Sequence, residues 1–145
     1  MNIHSASPFS RYVKLIGELR PETIDELGTL ITEDVHFRDP FNDTRGKDAY
    51  LHIMRHMFAI LTDIRFDIHE QAGDGKQRFL WWTFTARHSM IGAMKVDGIT
   101  RVELAEDGRI AAHIDYWDSD SAFMTKIPVA GLFIKALRSQ MAIKT

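Results

Sequence analysis

The sequence predicts an α+β fold in which a curved, mostly antiparallel sheet closes over N-terminal helices around an apolar pocket. Three observations predict it. Apolar residues recur at helical spacing from Phe9 to Leu61 and alternate with a period of two from Ile64 onward. Two turn signals, Gly73-Asp74-Gly75 and Asp107-Gly108, divide that second region into hairpin-linked strands. Helices with one early strand, followed by a four-strand meander, are not the alternation of a parallel βαβ fold.

Each element has its own reason. Ser7 followed by Pro8 reads as an N-cap and first helical residue, and Phe9, Tyr12, Val13, Ile16 and Leu19 form the apolar stripe of a first helix. Pro21 opens a second short helix with Ile24, Leu27 and Ile31 on one face. Val35, Phe37 and Asp39 alternate with His36 and Arg38, which predicts a strand ending at Pro40. Residues 42–46 read as a loop, and Tyr50, Ile53, Met54, Met57, Phe58 and Leu61 mark a third helix from Lys47. Strands follow over Ile64 to Ile68, Gln77 to Met90, Val96 to Leu104 and Ile110 to Trp117. A helical tail runs from Asp118, broken by Pro128, and its basic residues suit a lid or a subunit contact.

Composition bounds the function. A chain of 145 residues suits one domain spanning 1–145, able to bury about 68–70% of its unfolded surface. Hydrophobic residues at 45% and charged residues at 26% place it outside the disordered regime. A net charge of -2 and a pI near 6.4, without a basic stripe, argue against nucleic-acid binding. Without cysteine, chemistry falls to His, Asp, Glu, Tyr, Lys or Ser. Neither a signal peptide nor a long apolar run is evident, so a cytoplasmic protein with no membrane insertion is expected. The strand from Phe79 to His88 is bulky on both faces, and Ile110, Ala112, Ile114 and Tyr116 repeat that pattern on the last strand. A homodimer through the outer sheet face is therefore expected.

Arg11-Tyr12, Glu33-Asp34, Asp39-Pro40 and the run from Gly108 to Asp118, in this order and spacing, resemble the nuclear transport factor 2-like, or SnoaL-like, superfamily. The resemblance spans nearly the whole chain and implies a cone-shaped fold shared by steroid delta-isomerases, limonene epoxide hydrolases and polyketide cyclases. It implies that Asp39 stands where the isomerases hold a general base and Tyr12 where they hold an oxyanion-donating tyrosine. Thr100 stands where their proton-donating aspartate would be. Asp115 resembles the last-strand aspartate of the epoxide hydrolases, whose long-strand Arg and Asp are here Trp82 and Phe84. The superfamily hosts unrelated chemistries, so the resemblance speaks to fold more than to reaction.

The residues themselves define a candidate site. Asp39 shares a strand face with Phe37, where burial would raise its pKa and make it a base; the alternative is an Asp that only caps the Asp-Pro turn. Tyr12 either donates its hydroxyl to a substrate oxygen or satisfies it within the core. His113 and Asp115, two apart on the last strand, either relay a proton or make a structural hydrogen bond. Phe37, Met54, Phe58, Trp82, Phe84 and Trp117 are expected to line the pocket, with His88 at its rim and Thr100 on its wall. His52 and His56 lack the glutamate of a zincin helix and read as a solvated face, so no metal and no cofactor are expected. Proton transfer on a small, mostly apolar, oxygen-bearing molecule is the leading expectation. A non-catalytic carrier or sensor of such a ligand and a protein-binding dimer module are the alternatives.

Overall fold

The structure, a computed structural model, describes residues 6–119 and 130–143, with side chains of the last helix from 136 onward. Ser7 caps helix α1 (Pro8–Gly17) by accepting the Ser10 backbone N–H at 3.1 Å, and Phe9, Tyr12, Val13 and Ile16 form its buried face. A 3-10 turn at Pro21–Thr23 leads into the short helix α2 (Ile24–Leu27). Strand β1 runs Ile31–Arg38, four residues earlier than the alternation predicts. Ile31 is thus in the sheet and not in the second helix: it pairs with Ile110, and its β-branched side chain is fully buried there. The segment read as a loop contains β2 (Asp43–Arg45), which folds back so that Thr44 faces Phe37.

Helix α3 (Lys47–Ile60) passes directly into β3 (Leu61–Ala72). Strands β4 (Gln77–His88), β5 (Gly92–Leu104) and β6 (Ile110–Trp117) complete the meander, and α4 (Ala130–Met141) follows. The β3–β4 turn requires glycine at Gly73, where φ is 93° and a Cβ would lie 2.5 Å from the Gln77 carbonyl. The expected break at Pro128 lies outside the described residues.

The six strands form one curved, unclosed sheet in the order β2-β1-β6-β5-β4-β3. Every pairing is antiparallel except β1 with β6, which are parallel with Phe37 opposite His113. That pairing carries the chain after β1 to the side of the last strand, and it positions the site. The inner face presents Leu80, Trp82 and Ala86 from β4 and Met94, Val96 and Val102 from β5 to the helices.

The outer face carries a row of exposed apolar side chains in register across three strands: Trp81, Ile99 and Tyr116, each about half exposed. Ile110 is not part of it. A register irregularity between Glu103 and Leu104 turns Ile110 into the main core, where it is fully buried. Ala112 and Ile114 are also buried, Ile114 lying in register between Arg38 and Arg101. Among the described residues, no helix is long and apolar enough to cross a membrane.

Candidate active site

The β1–β6 pairing ends beside a turn made by Asp39-Pro40-Phe41-Asn42. The Asp39 N–H donates to the Asn42 carbonyl at 2.9 Å, and Asp39 Oδ1 accepts the Phe41 and Asn42 N–H groups, both at 2.7 Å. The carboxylate therefore caps its own turn, as an Asp before Pro is suited to do. Only one oxygen is spent that way. Among the described residues Oδ2 has a single long contact, 3.4 Å to Asn42 Nδ2, and the side chain lines the cavity. Burial is the main cause that raises the Asp39 pKa, to about 6 from 3.8, and the charge of Asp115 adds to it. The turn hydrogen bonds oppose the rise without cancelling it.

Across the strand pair lies a buried polar chain whose protons are assigned by its own chemistry. Trp82 Nε1–H can only donate, and it does so to Thr100 Oγ1 at 2.8 Å. The Thr100 hydroxyl then donates to Asp115 Oδ1. His113 Nε2 lies 2.9 Å from the same oxygen and donates to it, and in the neutral ring Nδ1 then accepts the Tyr12 hydroxyl at 2.6 Å. Tyr12 in turn accepts from Tyr50 at 2.6 Å. Burial holds both phenol pKa values above their ordinary range, which keeps them neutral donors. Phe37 stacks on the His113 ring with centroids 5.2 Å apart and fixes its plane.

The cavity these elements enclose has a volume of about 100 Å³. Among the described residues its polar groups come from the Asp39 turn (Asp39, Asn42), from α3 (His56), from β6 (His113, Asp115) and from Thr100 opposite Asp115 on β5. Its apolar wall comes from Phe37 and Phe41, from Ile53, Met54, Met57 and Ile60 on α3, and from the β3–β5 side chains Phe66, Ile68, Leu80, Trp82, Phe84, Met94 and Val96. Trp82 spans the floor because Gly98 faces it: a Cβ at Gly98 would come within 2.4 Å of the indole. Among the described residues the wall carries neither Lys nor Arg, and no group of His, Asp and Glu is arranged to hold a metal ion.

Of the residues expected from the sequence, the structure brings Phe37, Asp39, Met54, Trp82, Phe84, Thr100, His113, Asp115 and Trp117 together on this wall. Three lie elsewhere. Tyr12 is fully buried behind His113, with its hydroxyl shared between Tyr50 and His113. Phe58 is partly buried against the core, one position past the helix face that Ile53, Met57 and Ile60 turn to the cavity. His88 is buried at the end of β4 with both nitrogens engaged: Nδ1 accepts the Met90 N–H at 3.0 Å, and Nε2 donates to Gln140 Oε1 at 2.8 Å.

Other wall residues escaped the sequence reading. His56 does not sit on a solvated face: it lines the cavity and bonds the Gln140 carbonyl. Phe66 and Ile68 were legible as an alternating strand face. Asn42 and Met141 carried no signal, since their partners are about a hundred residues apart in sequence.

An open, curved sheet of six strands wrapped on N-terminal helices, with ionisable groups inside an apolar cavity, is the cone-shaped architecture of the nuclear transport factor 2-like class. The family model of the SnoaL-like domain matches residues 10–113, and the chain belongs to that family. An NTF2-like protein of unknown function from Exiguobacterium sp. 255-15 superposes with a TM-score of 0.67 at 20% identity, over 78% of this chain and 99% of that one. A steroid delta-isomerase from Pseudomonas aeruginosa gives 0.62 at 22% identity, over 92% and 85%. An LEH-like epoxide hydrolase of M. tuberculosis gives 0.65 at 20%, over 88% and 93%. At these identities the likeness is one of fold. A search of the curated proteins found no match.

Proposed function

We propose that the pocket binds a small, mostly apolar, oxygen-bearing molecule and transfers a proton on it, with Asp39 as general base. The observation that carries this reading is the division of labour on Asp39: one oxygen is clamped by two backbone N–H groups, while the other has only a long contact to Asn42 Nδ2, on a side chain that lines the cavity. A pKa raised to about 6 supports it, because the base is ionised at neutral pH yet basic enough to take a proton. Asp115, oriented by Thr100 and His113, is the partner group, and the His113 N–H it holds compensates its charge. Tyr12 and Tyr50 hold His113 in one tautomer and are positioning residues in this reading. Isomerisation, cyclisation, dehydration and hydrolysis all contain such a proton transfer, and the similar folds of a steroid delta-isomerase and an LEH-like epoxide hydrolase fit that range.

A carrier or sensor of the same ligand is the second reading, favoured by one observation: where the superfamily's isomerase aspartate is expected stands Thr100, whose proton is already given to Asp115. We also propose that the outer-face row of Trp81, Ile99 and Tyr116 pairs with a second copy of the chain, since these side chains leave a contiguous apolar strip exposed.

Incubation with uncharged ring ketones in D₂O tests the catalytic reading. Deuterium incorporation at the carbon beside the carbonyl, followed by mass spectrometry, reports proton abstraction directly. A ketone that binds and never exchanges would establish the carrier reading.

A further inference from the structure

We infer that Asn42 is a positioning residue that couples closure of the pocket by the C-terminal segment Gln140–Ile143 to the carboxylate of Asp39. The inference rests on the reading of Asp39 as the base and extends it to how access to that base is controlled. Asn42 is buried, and its side chain touches both parties. Nδ2 lies 3.3 and 3.4 Å from the two Asp39 oxygens and 3.5 Å from the Met141 carbonyl, while Oδ1 accepts the Ile143 N–H at 3.2 Å. Two further contacts fasten the same segment. His56 on α3 bonds the Gln140 carbonyl, and His88 at the end of β4 donates to Gln140 Oε1 at 2.8 Å.

These anchors come from the turn after β1, from α3 and from β4, so the segment bridges three separate parts of the cavity rim. Between them Met141 contributes to the cavity wall. Met141 and Ile143 also pack against the core, so lifting the segment gives up apolar contact as well as these hydrogen bonds, of which only the hydrogen bonds can be replaced by water. Lifting it would admit water to Asp39, and burial is the largest cause of that group's raised pKa. Closure and acidity are therefore linked: closed, the carboxyl is poised near neutrality; open, it returns toward an ordinary carboxylate. Among the described residues, the other titratable groups sharing the cavity are Asp115 and His113 on β6 and His56 on α3.

The test uses the ligand-free, full-length protein and two separate variants, Gln140→Ala and Ile143→Pro. The first removes the His88 contact, and the second removes the N–H that Asn42 accepts. Carboxyl carbon NMR titration gives the Asp39 midpoint, with Asp115, His113 and His56 followed alongside so that a shift inherited from them is recognised. Acrylamide quenching of tryptophan emission reports access to Trp82 and Trp117, against the constant contribution of exposed Trp81.

In a variant that melts cooperatively, the Asp39 midpoint is expected to fall by about one unit or more, with increased quenching. A midpoint and quenching equal to wild type in both variants would overturn the coupling, as would a lowered melting temperature with an unmoved midpoint. A shifted midpoint in a protein that exchanges no ketone hydrogen would support the coupling and sink only the base role of Asp39.

Discussion

Asp39 shows how one side chain can serve the turn and the site together. Its clamped oxygen suits an Asp before Pro40, and its other oxygen, in long contact with Asn42 Nδ2, shares the burial that raises the pKa. Because the folded pKa of about 6 lies above the ordinary 3.8, the folded state holds the proton more tightly than the unfolded chain between these values. Stability contributed by the protonated form is present at low pH and is lost as pH rises through 6, an effect of the order of 2–3 kcal/mol. Asp39→Asn cannot ionise, so its melting temperature should exceed that of wild type at pH 7 and approach it near pH 4. Parallel pH–melting curves would show that Asp39 is not strained in this way. Tyr12→Phe takes the proton from His113 Nδ1 and the acceptor from Tyr50, at a cost of about 1–3 kcal/mol of stability. Its effect on ligand binding should be small, since Tyr12 lies behind the wall. Loss of ketone exchange with an unchanged melt would return Tyr12 to substrate contact.

At the scale of elements, what could be read from the sequence was whatever local spacing decides. The α1 cap at Ser7, the apolar stripe of α3 that carries Met54, the two hairpin turns and the alternation on β4 that carries Trp82 and Phe84 are all local signals. What escaped depends on distant partners. Ile31 reads as helical until its pairing with Ile110 is known, and Ile110 reads as outward until the irregularity at Leu104 turns it inward. The proton order from Tyr50 to Asp115 joins three elements that no window of sequence contains. The β4–β5 contact gives a sharp element-level test. Gly98→Ala would push the Trp82 indole off the floor and break its bond to Thr100. A destabilisation of about 1–3 kcal/mol is expected, with a changed indole N–H resonance. A variant with wild-type stability and an unmoved resonance would show that the floor is not fixed by that approach.

The whole molecule joins a closed inner face to an exposed outer one. The row of Trp81, Ile99 and Tyr116 predicts that sedimentation finds a dimer at micromolar concentration and that Tyr116→Glu shifts it to monomer. A wild-type monomer under those conditions would contradict the pairing. The proposed base lies on the inner face, where an apolar cavity without described lysine or arginine holds the Asp39 carboxyl with its pKa raised to about 6. The measurement that reaches it most directly compares wild type and Asp39→Asn on one ring ketone, with binding followed by tryptophan quenching and deuterium uptake by mass spectrometry. Affinity should stay within a few-fold, because the amide keeps the shape and the clamped acceptor. Exchange should fall by ~10²–10⁴, the usual contribution of a positioned general base. Exchange at the wild-type rate in the asparagine variant would contradict the account and move the base to Asp115 or His113.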